Sequence, residues 1–276
     1  MMRRILTAVT VLVALLSAAA FGRETPDQIA SVDVDGTVFR VRLTNGNVIA
    51  GADLVGATLT LAGIGHTAPR RIFIQSVKLD PMDSDHEILL YHLLAVDPTT
   101  HHQEELCGLN ADGERWGFPL RGEWDVEGRH ISDAGYTLTC ADGAQGKCVR
   151  LGYKPWKTLA NGTRLDAYHQ ACIRLVRADY CGGRGTTRNG MPIEIYDTAG
   201  VRALDPEADV AAGLRFEAAW SPAGAVCVAH TRVPENMTLE QLAKECPRLV
   251  GHLGETACTP RVSDSSQRAL LYNHSH

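Results

Sequence analysis

His169 to Gly183 reads HQACIRLVRADYCGG, and the reading of the chain starts there. Together with the residues just before it, the stretch places Leu165, Tyr168, Cys172 and Leu175-Val176 on one stripe at i, i+3, i+4 spacing. That spacing predicts an amphipathic helix over 165–176, with Asn161 and Thr163 available as caps. Beyond it, Gly182, Gly183, Gly185 and Gly190 make a flexible loop. The stretch therefore joins a half-buried helix to a glycine turn, with Cys172 on the helix and Cys181 just past its end.

Working outward, the cysteines divide the sequence. Cys107, Cys140, Cys148, Cys172, Cys181, Cys227, Cys246 and Cys258 all fall in the second part, and residues 21–106 contain none. An even count reads as a disulfide framework formed in an oxidising compartment. No CxxC pair favours zinc, so no metal site is expected. The spacing leaves the connectivity open, although Cys140 and Cys148 lie close enough in sequence to staple a hairpin. Met1 to Arg4 is a short cationic start, Ile5 to Leu16 an apolar run, and Ser17 to Ala20 a set of small residues, so 1–20 reads as a secretory signal peptide. A periplasmic or secreted location follows as an expectation, with no membrane span in the mature chain.

Strand patterns fill much of the rest. Phe39, Val41 and Leu43 alternate with Arg40 and Arg42, Asn45-Gly46 supplies a hairpin turn, and Val48-Ile49 resumes. Leu59 and Leu61, Ile72 and Ile74, Val77 to Leu79 and Ile88 to Val96 read as further strands. So do Trp116 to Leu120, Trp124 to Val126 and Tyr136 to Cys140, with Ala141 to Gly146 read as a turn. A second helix starts at Thr238, whose spacing to Gln241 is that of a capping box, and ends before Pro247. The expected fold is mainly β (α+β): small antiparallel sheets or an open barrel with two short helices and a disulfide-stapled C-terminal part. The expected regions are the cysteine-free 21–106, the cysteine-rich 107–260, and a flexible polar tail over 261–276.

The string around Ala178-Asp179-Tyr180-Cys181 resembles the ADYC-domain family of bacterial secreted proteins. The resemblance extends to DLVGATL (Asp53 to Leu59), KCVRLGYKPW (Lys147 to Trp156), TRNGMPIEIYD (Thr187 to Asp197) and FEAAWSPAGAVCVAHTR (Phe216 to Arg232). It covers roughly residues 50–232 and implies no reaction, so it supplies no catalytic residues. Where the family has a CGDG-type turn this chain has Cys181-Gly182-Gly183-Arg184-Gly185, and Asn189-Gly190 stands where Asp-Gly is usual. Both departures remove carboxylates that a hard cation would want.

Two function classes remain. The first is a non-enzymatic envelope or extracellular binding or structural module, in which Arg174, Arg177, Asp179, Tyr180, Arg188 and His230 are the candidate ligand-binding residues. The second is a cysteine-dependent cell-wall enzyme, because ACIRLVRAD (Ala171 to Asp179) resembles the GCIRM…D segment of L,D-transpeptidases, with Cys172 as nucleophile. Ala171 replaces that motif's glycine, and no histidine lies between Val149 and Ala167 where its base belongs. No cofactor is implied. With Arg3 and Arg4 removed, 25 cationic side chains face 32 anionic ones, a charge of −7, which argues against a nucleic-acid partner.

Overall fold

The structure, a computed structural model, describes residues 27–276 apart from 62–69, 126, 206, 208–211 and 261–268. The expected signal peptide lies outside the described residues. By contact the chain forms two units: residues of 1–123 with 132–146, and residues of 124–131 with 147–276. This division differs from the compositional boundary at 107, because the sheet begun before Cys107 continues after it.

In the first unit, β1 (Ile29–Asp35), β2 (Val38–Leu43) and β3 (Val48–Ala50) form an antiparallel meander. The alternation in β2 becomes burial: Phe39, Val41 and Leu43 are inside, Arg40 and Arg42 outside. Each buried apolar side chain of this size contributes about 1.5–3 kcal/mol. Gly46 turns the β2–β3 hairpin at φ 89°, and Asn45 Oδ1 accepts the Asn47 N–H at 2.8 Å. The second sheet contains β4 (Thr58–Leu61), β5 (Arg70–Leu79), β6 (Leu89–Val96), β7 (Gln103–Glu105), β8 (Gly117–Trp124) and β9 (His130–Cys140). Its order is β4-β5-β6-β8-β9, with β7 paired to β6. Phe39 meets the rings of Tyr91 and Tyr136 edge-on, with centroids 5.6 and 5.5 Å away. Burial pushes the Tyr91 phenol up to about 12. Cys107 bridges Cys140 across a Cα separation of 5.4 Å.

The expected Cys140–Cys148 hairpin staple is not formed. Part of the 141–146 segment, read as a turn, belongs instead to helix α1 (Ala144–Arg150), which carries Cys148. That helix has a glycine at 146 and few apolar residues, so no periodic stripe marks it.

In the second unit, β10 (Glu194–Asp197), β11 (Arg215–Ser221), β12 (Gly224–Val228) and β13 (Leu271–Ser275) form a four-stranded sheet in the order β10-β13-β11-β12. Every registered pair in it is antiparallel. The tail expected to be loose thus supplies an inner strand. Helix α2 (Asp166–Arg177) packs on this sheet with Tyr168, Ala171, Cys172, Ile173 and Leu175 buried. Asn161 and Thr163 do not cap it: its N-cap is Leu165, and Asn161 Oδ1 accepts the Thr163 N–H instead. Helix α3 (Leu239–Glu245) begins with the expected reciprocal capping box between Thr238 and Gln241. Three disulfides staple the unit. Cys148–Cys172 ties α1 to α2, Cys181–Cys246 ties the loop after α2 to the end of α3, and Cys227–Cys258 ties β12 to the segment that follows α3. The fold is mainly β, with small antiparallel sheets, three described helices and four disulfides. No described helix is long and apolar enough to cross a membrane.

Candidate functional site

The residues after α2 each perform one structural task. Ala178 ends the helix in the left-handed region, at φ 48° and ψ 45°, and its N–H returns to the Arg174 and Leu175 carbonyls. Asp179 is fully buried. Its Oδ2 accepts Arg174 Nη1 at 2.6 Å, and its Oδ1 accepts the backbone N–H groups of Gly182, Gly183 and Arg184 at 2.8, 2.8 and 3.0 Å. One carboxylate therefore neutralises a buried cation and shapes the glycine turn. Arg174 Nη1 also donates to the Glu127 carbonyl (2.9 Å), and its Nε to the Pro222 carbonyl (3.3 Å). The turn must be glycine at 182: φ is 88°, and a Cβ there would lie 2.5 Å from the Ala223 carbonyl oxygen.

Tyr180 reaches a second buried pair. Its OH donates to Glu217 Oε1 at 2.9 Å and accepts the Arg232 N–H at 2.8 Å, while its ring stacks on Trp220. Burial and the neighbouring Glu217 carboxylate raise this phenol well above its ordinary value. Glu217 Oε2 also accepts Arg232 Nε at 2.9 Å and Asn273 Nδ2 at 2.6 Å. Arg232 continues to the Leu175 and Val176 carbonyls, where a cation satisfies the open C-terminal turn of α2. Cys181 completes the motif as a half-cystine with Cys246. The assembly holds together a helix end, two strands and a loop. Each buried charge has its counterion and further hydrogen bonds, which is how buried ion pairs persist.

Of the six candidate ligand-binding residues, the structure brings Arg174 and Asp179 together and places Tyr180 in the adjoining network. Arg188 lies outside it, paired with Glu235 at 3.4 Å on the surface. His230 faces β13, with Nε2 3.1 Å from Ser275 Oγ and 3.1 Å from the His276 carbonyl. Arg177 lines a cleft of about 440 Å³ with Glu127, Gly183, Arg184, Gly185 and Thr187. Cys172, the proposed nucleophile, is bonded to Cys148 and has no thiol to ionise. No cysteine is free. His169 is buried with its ring 5.8 Å from that of Trp124.

Sequence reasoning missed Glu217, Asn273 and Arg248. Arg248 reaches the Tyr180 carbonyl at 2.7 Å and also bonds the Ala225 carbonyl. Their partners lie 15 to 68 residues away in sequence, so spacing gives no signal. A glutamate within the otherwise apolar run of RFEAAWS is the one local hint.

His230 gives a pH prediction. Burial and the nearby Arg215 cation lower its pKa, so the unfolded chain binds the proton more readily than the folded one. Its contribution to stability is present above the ordinary histidine range and declines as the pH falls through about 6.5. Urea midpoints at pH 7.5 and 5.5 should differ less for His230→Gln than for the wild type. An equal acid loss in both would assign the effect to other groups.

The ADYC domain model matches residues 51–234. No curated protein and no solved structure matches the chain. The matched span runs from the short helical turn after β3 to just past Arg232, and so takes in Asp179, Tyr180, Glu217 and six of the eight cysteines, five before the glycine loop and Cys227 after it. On that match, which covers more than half of its length, the chain belongs to the ADYC-domain family.

Proposed function

We propose that this chain is an exported module of a periplasmic or extracellular compartment that binds an envelope or extracellular ligand and performs no covalent chemistry. The observation that carries this reading is the use of all eight cysteines, Cys172 among them, in four disulfides. Such a set suits an oxidising compartment, and it removes the thiolate on which the cell-wall enzyme reading depended. The use of Arg174, Asp179 and Tyr180 supports it further: Arg174 and Asp179 pair with each other, Tyr180 bonds Glu217 and Arg232, and all three are buried.

Thiol counting on the exported protein tests the proposal. Alkylation in denaturant without reductant should label no cysteine, and labelling after reduction should reach all eight. A folded protein whose Cys172 is alkylated without reduction would overturn the module reading in favour of the enzyme.

A further inference from the structure

The arginines around the glycine loop differ in how they are used. Arg174 and Arg232 are spent on buried carboxylates and carbonyls, and Arg248 on carbonyls. Arg184 and Arg188 pair with Glu245 and Glu235 at the surface. Arg177 is the exception: its Nε is buried and has no hydrogen-bond partner among the described residues. Its backbone carbonyl is held by the Thr186 and Thr187 N–H groups, so its position is fixed by the fold. Its side chain passes between two glycines. A Cβ at Gly128 would lie 3.7 Å from Arg177 Cδ, and one at Gly185 would lie 3.6 Å from Nε. With its backbone held and its stem packed beside these glycines, Arg177 stands at the wall of an open cleft, where the terminal nitrogens of a guanidinium make a fork for a planar anion.

The other lining residues narrow the class. Arg184, whose exposed pair with Glu245 is open to exchange, adds a second cation to the lining, and Glu127 an acid. A dianion such as phosphate meets repulsion from Glu127, whereas a ligand with an ammonium beside its carboxylate matches both signs. Gly183 keeps the entrance open: a Cβ there meets nothing within 4 Å. We infer that the cleft between the end of α2 and the glycine loop binds a small zwitterion of the α-amino-acid type, its carboxylate on Arg177 and Arg184 and its ammonium on Glu127. This rests on the binding-module reading and names its ligand class.

Alanine, alaninamide, propionate and inorganic phosphate are the probes, titrated into the full exported chain and followed by amide NMR shifts. Alanine should give saturable shifts at residues 183–187 and bind on the order of tenfold tighter than propionate or alaninamide, each of which lacks one charge. Arg177→Gln should weaken alanine by a similar factor. Gly183→Leu should block it while leaving the thermal melt unchanged, which separates loss of the site from loss of the fold. Phosphate or propionate equalling alanine would overturn the zwitterion assignment, as would binding indifferent to both substitutions or no saturable shift from alanine. These failures leave a fully bridged thiol count intact, so they remove the ligand class and not the module. A free Cys172 removes the module itself.

Discussion

Replacing Arg232 by methionine is expected to cost about 3–5 kcal/mol, because it leaves a buried carboxylate without its counterion. Glu217 is 0% exposed and Arg232 3%. After the substitution Glu217 keeps only the Tyr180 hydroxyl and Asn273 Nδ2 as donors, and neither carries a charge. In the same step the Val176 carbonyl at the end of α2 loses its Arg232 donor, and the Leu175 carbonyl keeps only the Ala178 N–H. Urea unfolding followed by tryptophan fluorescence measures the loss, since Trp220 stacks on Tyr180 within the network. The double variant Glu217→Leu/Arg232→Met should lie closer to the wild type than Arg232→Met alone. Removing both charges also removes the desolvation cost, and only the orphaned charge is severe. A single-variant loss below about 1 kcal/mol, the range of a surface ion pair, would show that Glu217 is not held as a buried anion.

Asp179→Ala is expected to cost about as much, roughly 3–5 kcal/mol, through a different combination of losses. The Arg174 guanidinium, 2% exposed, keeps two carbonyls and loses its carboxylate. The N–H groups of Gly182, Gly183 and Arg184 lose their common acceptor, so the loop loses its shape as well. Asp179→Asn retains an acceptor oxygen for the loop and should fall between alanine and wild type. Arg184→Ala is the control: its pair with Glu245 is exposed on both sides, and the change should stay within about 0.5 kcal/mol. The same urea series measures all three, and proteolysis within 182–185 should rise for Asp179→Ala alone. Equal costs for Asp179→Ala and Arg184→Ala would show that the loop is not organised by the carboxylate.

Sequence patterns carried well wherever burial followed hydropathy. The β2–β3 hairpin was legible because Phe39, Val41 and Leu43 face in, Arg40 and Arg42 face out, and Asn45-Gly46 turns. Helix α2 was legible within a residue at each end, and α3 through its capping box. β13 was not legible, for a physical reason. Its inward positions are Leu271, Asn273 and Ser275, and its less buried ones Tyr272 and His274. Two of the three buried positions are polar, so hydropathy points to the wrong face and the strand reads as tail. Asn273 belongs there because it donates to Glu217 and accepts from Trp220 Nε1 at 2.8 Å. The Arg174–Asp179 pairing was within reach because five residues separate them across a helix end. The Glu217–Arg232 pairing was not, since only the sheet and the end of α2 bring them together. The disulfide connectivity was likewise undetermined by spacing: the closest cysteines in sequence, Cys140 and Cys148, have different partners.

The position of β13 also bears on how the chain is made. β10 and β11 each hydrogen-bond to β13 and not to one another. In a chain emerging N-terminus first, residues 194–197 and 215–221 leave the ribosome or translocon well before residues 271–275. Until then β10 has no partner in its sheet, and β11 shows one open edge, the kind of template on which chains aggregate. Cys227 and Cys258 both emerge before the strand that closes the sheet, so that bridge can form around an unfinished β-layer. Assembly of this unit is therefore gated by the arrival of a five-residue segment.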